Sequence, residues 1–270
     1  MRVLRHIEVE RREGVGFIWL NRPDKRNALS EDMWEDLPRA ANELASDPAV
    51  RVVVVAGRGP AFTVGIDLDM LGTMEPEGDS PVERRRNLYR RIAHLQGSFS
   101  ALSDCPQPVI AAVNGYCLGA GIDLITACDL RLASADAVFG VRETVMGLVA
   151  DVGTLPRLPR TVGAAYAAEL VFTGEDIDAD RAAAIGLVNR VFPTVEALHQ
   201  ETAILASRIA ANSPLVVQGA KAVMRASEGR TVAEALDYVA LWNSSFLQSE
   251  DLAEALTAFA EKRAPRFRGL

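Results

Sequence analysis

Residues 108–129 read PVIAAVNGYCLGAGIDLITACD. The run 109–113 behind a proline is short, apolar and unbroken, the pattern of a strand buried on both faces of a parallel sheet. A glycine turn, YCLGAG, follows it, then a helix over IDLITACD, after which LRLASADAVFGV (130–141) resumes strand-like spacing. The same order stands upstream, where VRVVVVAG (50–57) is the buried strand and GRGPAFTVGIDL (57–68) the Gly-rich loop. Two strand, glycine-turn and helix units in one chain predict an α/β fold.

Further out, residues 3–10 and 15–20 predict a hairpin around a Glu13-Gly14 turn, and Ser30 is placed to N-cap a helix over about 31–46. Between the two units, Leu88, Ile92, Leu95, Phe99 and Leu102 recur at steps of three and four, an amphipathic helix over 82–104. Its other face carries Arg84, Arg85, Arg86, Arg90 and Arg91, which reads first as a solvated face and second as an anion contact. From about 200 to 262 helical periodicity dominates, punctuated by Pro214 and Gly229.

The chain has 270 residues, 49% hydrophobic and 24% charged, which excludes a disordered or collagen-like chain. Its 29 basic against 36 acidic residues give a net charge of −7, opposite in sign to a nucleic-acid-binding surface. Cys105, Cys117 and Cys128 are odd in number and lack metal-ligand spacing, so they read as buried thiols, and no metal is expected. With neither a secretory h-region nor a membrane-spanning run, the expectation is a soluble, cytoplasmic protein with no membrane partner.

No serine-hydrolase elbow, phosphate loop or complete dinucleotide fingerprint is present. What remains is acids in apolar company: Asp123 among small residues in GAGIDLITAC, Glu143 in AVFGVRETVMGLVA and Asp151 in GLVADVGTL. A buried carboxylate costs several kcal/mol unless paired, hydrogen-bonded or protonated. Each acid alone could cap a helix or pair with Arg131, Arg142 or Arg157; three within 29 residues favour a site. The glycine turns complete it, because backbone N–H groups from two such loops can form an oxyanion hole, and one donor is typically worth about 2.7–4 kcal/mol.

AFTVGIDLDML (61–71), NGYCLGAGIDLITACDLRLAS (114–134) and FGVRETVMGLVADVGTLPRLPR (139–160) closely resemble the enoyl-CoA hydratase/isomerase, or crotonase, family, as do NRPDKRNALS near the start and FAEKRAPRF near the end. The resemblance covers nearly the whole chain. It implies a spiral of repeated β-β-α units over 1–200 and a C-terminal helical oligomerisation region over 201–270, assembled as trimers or hexamers. It also implies an acyl-CoA substrate and no cofactor beyond the coenzyme A thioester.

Position by position, the resemblance places the oxyanion donors at the N–H groups of Ile66 and Ala120, the latter in place of the more usual glycine. Asp123 and Glu143 fall where hydratases of the family carry two glutamates, and Asp151 where those hydratases commonly have glycine. With Gly65-Ile66-Asp67-Leu68 in the first loop, this combination is most similar to the Δ3,5-Δ2,4-dienoyl-CoA isomerase branch, where Glu143 and Asp151 would move protons and Asp123 would orient or tune them. Coenzyme A would meet Lys25, Arg26 and Ala28, the loop residues Ala61, Val64, Gly65, Ile66, Asp67 and Leu68, Ala120, and Phe259 and Lys262. Val64 and Met146 would shape the acyl pocket. Two other readings stay open at this point: a 2-enoyl-CoA hydratase with Asp151 as a structural acid, and a non-catalytic acyl-CoA-binding protein.

Overall fold

The computed structural model describes residues 4–72 and 77–270. The opening hairpin pairs β1 (Ile7–Arg12) antiparallel with β2 (Val15–Leu20). The first strand starts later than the expected 3–10, of which residue 3 lies outside the described residues. Helix α1 (Glu31–Ala45) follows, and Ser30 stands at its N-cap position in extended conformation but its side chain makes no capping hydrogen bond.

Strands β3 (Val52–Gly57) and β4 (Val109–Val113) are buried along their whole length because helices cover the sheet on both sides. With β6 (Leu130–Ser134) and β9 (Arg190–Phe192) they complete a six-stranded sheet in the order β1-β2-β3-β4-β6-β9, parallel from β2 onward. On one face lie α1 and the helix α3 (Pro81–Asp104), whose expected arginine face is largely exposed and whose Arg91 pairs with Glu31.

Part of the expected glycine turn at 116–121 is strand. Residues Tyr116–Leu118 form β5, which pairs parallel with β7 (Val138–Gly140), and β7 pairs antiparallel with the two-residue β8 (Ile177–Asp178). This small second sheet carries the chain from β4 into α4 (Ala120–Thr126), every residue of which is buried. Helices α5 (Thr154–Val162) and α6 (Ala164–Thr173) follow the loop after β7.

The expected boundary at 200/201 falls inside α8 (Val195–Ala210). Leu198, Ala206 and Ala210 of that helix pack on Val52, Val54, Ile110 and Leu132, sealing the other face of the sheet. Burying a leucine such as Leu198 is worth about 1.5–3 kcal/mol, so α8 belongs energetically to the core. The helices beyond it are α9 (Pro214–Ala226), α10 (Val232–Phe246) and α11 (Glu250–Glu261).

Helix α9 is pinned to the sheet by Lys221, which is 5% exposed. Its Nζ donates to Asp129 Oδ2 at 2.6 Å and to the Gln107 carbonyl at 2.9 Å, while Asp129 Oδ2 also accepts from the Val109 N–H at the start of β4. Removing the ammonium leaves both acceptors facing a hydrocarbon. Lys221→Met is therefore expected to lower unfolding stability in urea by about 3 kcal/mol, the low end for a broken buried ion pair because Asp129 keeps part of its hydration.

Candidate active site

The two strand–turn units meet at Gly65. Its φ of +91° favours glycine, and a Cβ there would stand 2.8 Å from the Leu118 carbonyl oxygen and 3.3 Å from Ala120 N. Backbone hydrogen bonds hold this approach from both sides: Thr63 N–H donates to Tyr116 O and Leu118 N–H to Thr63 O, while Leu29 N–H donates to Gly65 O and Asp67 N–H to Leu29 O. In the Leu29–Ile66 bridge the bonds run through Gly65 and Asp67, so the Ile66 N–H points away from its strand neighbour. Ala120 opens α4, where the first N–H groups have no acceptor within the helix.

A cavity of about 430 Å³ lies beside these two N–H groups. Its walls are mainly apolar: Trp34 of α1, Leu68 and Leu71 of α2 (Leu68–Gly72), Leu88, Ile92 and Leu95 of α3, and Met146, Leu148 and Val149 of the loop before α5. Val64, Gly65, Ile66, Ala120, Glu143 and Asp151 line the same space. Its size and lining suit an acyl chain with a few directing polar groups.

Glu143 caps a short 3-10 turn (Thr144–Met146). Its carbonyl accepts from Met146 and Leu148 N–H, and its Oε1 lies 3.6 Å from where a Cβ on Gly119, the residue before Ala120, would stand. Oε2 is buried and has no partner among the described residues. Burial raises its carboxyl above the ordinary range, and the charge of Asp151 adds to the rise. Asp151 follows eight residues later, its carbonyl accepting from Gln96 Nε2 at 2.6 Å and its carboxyl raised by partial burial. A second, polar cavity of about 670 Å³ shares Asp151 and Val152 with the first.

Asp123 lies behind the cavity wall, fully buried on α4. Oδ1 accepts the Thr154 N–H at the start of α5, and Oδ2 has no partner among the described residues. Burial, with the charge of Glu143, pushes its carboxyl up to about 7. Asp123, Glu143 and Asp151 thus form one electrostatic group, although only the last two line the cavity.

Other expected contacts divide by position. Asp67 is bonded to Arg22, which also donates to Ala28 O at 3.0 Å, so this pair ties the Ala28 segment to the first loop; the bond to Arg22 lowers the Asp67 carboxyl. Ala61 is buried, its carbonyl held by Asn27 Nδ2 at 2.7 Å. Lys25 and Arg26 are exposed on the neighbouring turn. Phe259 and Lys262 are exposed on and just after α11, and neither lines this chain's cavity. Sequence reading did not single out Trp34, Leu71 or the α3 residues as cavity walls, although the apolar stripe of α3 was the available signal.

Among the described residues no group of three His, Cys, Asp or Glu is arranged to hold a metal ion, and no helix is long and apolar enough to cross a membrane. The three cysteines are buried, with Cys128 pushed up to about 12 by burial.

Residues 10–269 match the model of the enoyl-CoA hydratase/isomerase family. The chain is 43% identical over 251 residues to the Arabidopsis thaliana peroxisomal Δ3,5-Δ2,4-dienoyl-CoA isomerase, covering 92% of this chain and 90% of that protein. It is also 43% identical over 249 residues to the human mitochondrial Δ3,5-Δ2,4-dienoyl-CoA isomerase, covering 91% of this chain and 76% of the human protein. The crystal structure of an enoyl-CoA hydratase from Bacillus anthracis superposes with a TM-score of 0.89 at 32% identity, covering 98% of this chain and all of that one. The cytoplasmic expectation is corrected by these relatives, which are named for peroxisome and mitochondrion. It rested on the lack of a secretory leader and a membrane span, which does not separate cytoplasm from an organelle interior. In sequence, fold and the joining of its two glycine loops, the chain belongs to the enoyl-CoA hydratase/isomerase family.

Proposed function

We propose that this chain isomerises 3,5-dienoyl-CoA to 2,4-dienoyl-CoA, a step in the oxidation of unsaturated fatty acids. The observation that carries the reading is the second carboxylate on the cavity wall, Asp151, in addition to Glu143. Moving a 3,5-diene into conjugation removes a proton from carbon 2, beside the thioester, and adds one at carbon 6. One carboxylate takes the first proton as the C2–H electrons pass into a dienolate. The other, starting protonated, delivers the second as the 3,4 and 5,6 double bonds become 2,3 and 4,5.

The thioester oxygen, negative in the dienolate, would sit between the Ile66 and Ala120 N–H groups. Raised carboxyl values suit a pair in which one acid is charged and its neighbour holds a proton. Each turnover exchanges those states, so the pair must be reset. Asp151 borders the polar cavity as well as the apolar one, which offers a route for that exchange. Asp123 would tune Glu143 from behind.

In this reading the coenzyme A moiety meets Lys25, Arg26 and the 61–68 loop, with Phe259 and Lys262 reaching it from α11, and no further cofactor takes part. Trimers or paired trimers would form through the C-terminal helices, where Leu236, Leu241, Leu256 and Phe259 are exposed.

Asp151→Asn should slow appearance of the conjugated diene, followed by its ultraviolet absorbance, by about 100-fold or more. Hydration of 2-enoyl-CoA that exceeds isomerisation in the unmodified protein and survives this substitution would instead make the chain a hydratase.

Asp123 also predicts a pH signature. Its folded value of about 7 exceeds the ordinary 3.8, so the folded state holds this proton more tightly than the unfolded chain. The resulting stability is fully present below the ordinary value and is lost as pH rises through about 7. Asp123→Asn removes that loss, so urea denaturation should show the variant gaining about 2.5 kcal/mol on the unmodified protein between about pH 5 and pH 8.

A further inference from the structure

Asp123 has little to offset its charge. One oxygen takes the Thr154 N–H, with the Thr154 hydroxyl also lowering the carboxyl, the other has no partner among the described residues, and the negative charge of Glu143 and the buried Cys117 thiol both lie within its field. The positive charge acting on it belongs to Arg157.

Arg157 stands in the first turn of α5, its N–H bonded to Gly153 O at 3.2 Å. Its guanidinium folds back over Gly153, where a Cβ would fall 2.0 Å from Nη1; Gly153 has a φ of +143°, so the position excludes a side chain on both counts. Nη2 donates to Ser100 Oγ of α3 at 3.2 Å, while Nη1 is buried without a hydrogen bond among the described residues. Asp104, Cys128 and Arg225 also lie around the guanidinium, but Asp104 is engaged by Arg225 at 2.5 Å. The arginine therefore keeps a buried, unspent donor at the turn whose Thr154 N–H holds Asp123.

We propose that Arg157 is a positioning residue: seated over Gly153, beside the turn whose Thr154 N–H holds Asp123, it supplies counter-charge to that buried carboxylate and so sets the field in which Glu143 transfers its proton. The last clause rests on the isomerase reading; the effect on Asp123 does not.

The test uses the full chain with Arg157→Gln and Arg157→Lys. Two quantities are followed: the pH dependence of kcat/KM for 3,5-dienoyl-CoA, and the ¹³C NMR titration of the Asp123 carboxyl, assigned by its disappearance in Asp123→Asn. In Arg157→Gln the acid limb and the NMR midpoint should both move up by about one pH unit, while KM changes by less than about twofold. Arg157→Lys should restore most of both. An unmoved midpoint in folded Arg157→Gln, or equal pH-independent losses in Gln and Lys, would overturn the proposal and leave Arg157 as an anchor on Ser100. Should Arg157→Gln fail to fold, Ser100→Ala removes only the hydroxyl that anchors Nη2, frees the same guanidinium and must raise the same midpoint. An unmodified protein that does not isomerise the diene would defeat the functional reading, and the NMR titration would still decide the role of Arg157.

Discussion

The approach of Gly65 to the Leu118–Ala120 backbone is the contact on which the site depends. Parallel strands β3 and β4 bring their following loops to the same edge of the sheet, as parallel pairing requires. Only a residue without Cβ lets those loops close to the distance observed, and the paired bonds between Thr63 and the β5 backbone lock the register. The two candidate oxyanion donors are thus positioned by main chain, so the identity of the Ile66 and Ala120 side chains matters less than their φ and ψ. The alanine at 120 is compatible with the donor role for this reason.

The carboxylates obey a different logic. Each sits where burial disfavours its charge, and none has a direct ion-pair partner among the described residues. In a scaffold selected only for stability such groups would be neutralised by pairing, as Lys221 and Asp129 are. Leaving them unpaired raises all three carboxyls above their ordinary values, Asp123 to about 7. The cost falls mainly on Asp123, which is the most enclosed, and is lessened by Thr154 and Arg157.

Much of this was legible in the sequence because it is written in local signals. Unbroken apolar runs gave β3 and β4, a stripe at three- and four-residue steps gave α3, and acids in apolar segments pointed to Glu143 and Asp151 on the cavity wall and to buried Asp123. The small sheet of β5, β7 and β8 was not legible: its strands have two or three residues, too few for a period, and its pairing is set by where the chain returns. Nor was Lys221, whose partner is 92 residues away in sequence and whose own helix gives no hint of an acidic neighbour. Arg157 was visible as one of three arginines able to pair with an acid. Its placement over Gly153 depends on a backbone conformation that no composition reveals.

Glu143 and Asp151 sit on one loop, between β7 and α5, and that loop is held by unlike attachments. Arg142 pairs with Asp176, Thr144 Oγ1 donates to the Val171 carbonyl at 2.6 Å, Gln96 from α3 holds Asp151, and the Thr154 N–H holds Asp123. The candidate oxyanion donors are set by main chain, in the loop after β3 and at the start of α4, but the separation and aim of the two acids belong to these side-chain attachments. A donor pair fixed by main chain can therefore stay in place while the loop changes which part of the cavity meets an acid. Under the proposed isomerase reading, the difference between adding water and moving a double bond on this scaffold would lie in loop geometry and in the residue at 151, with the candidate oxyanion donors held in common.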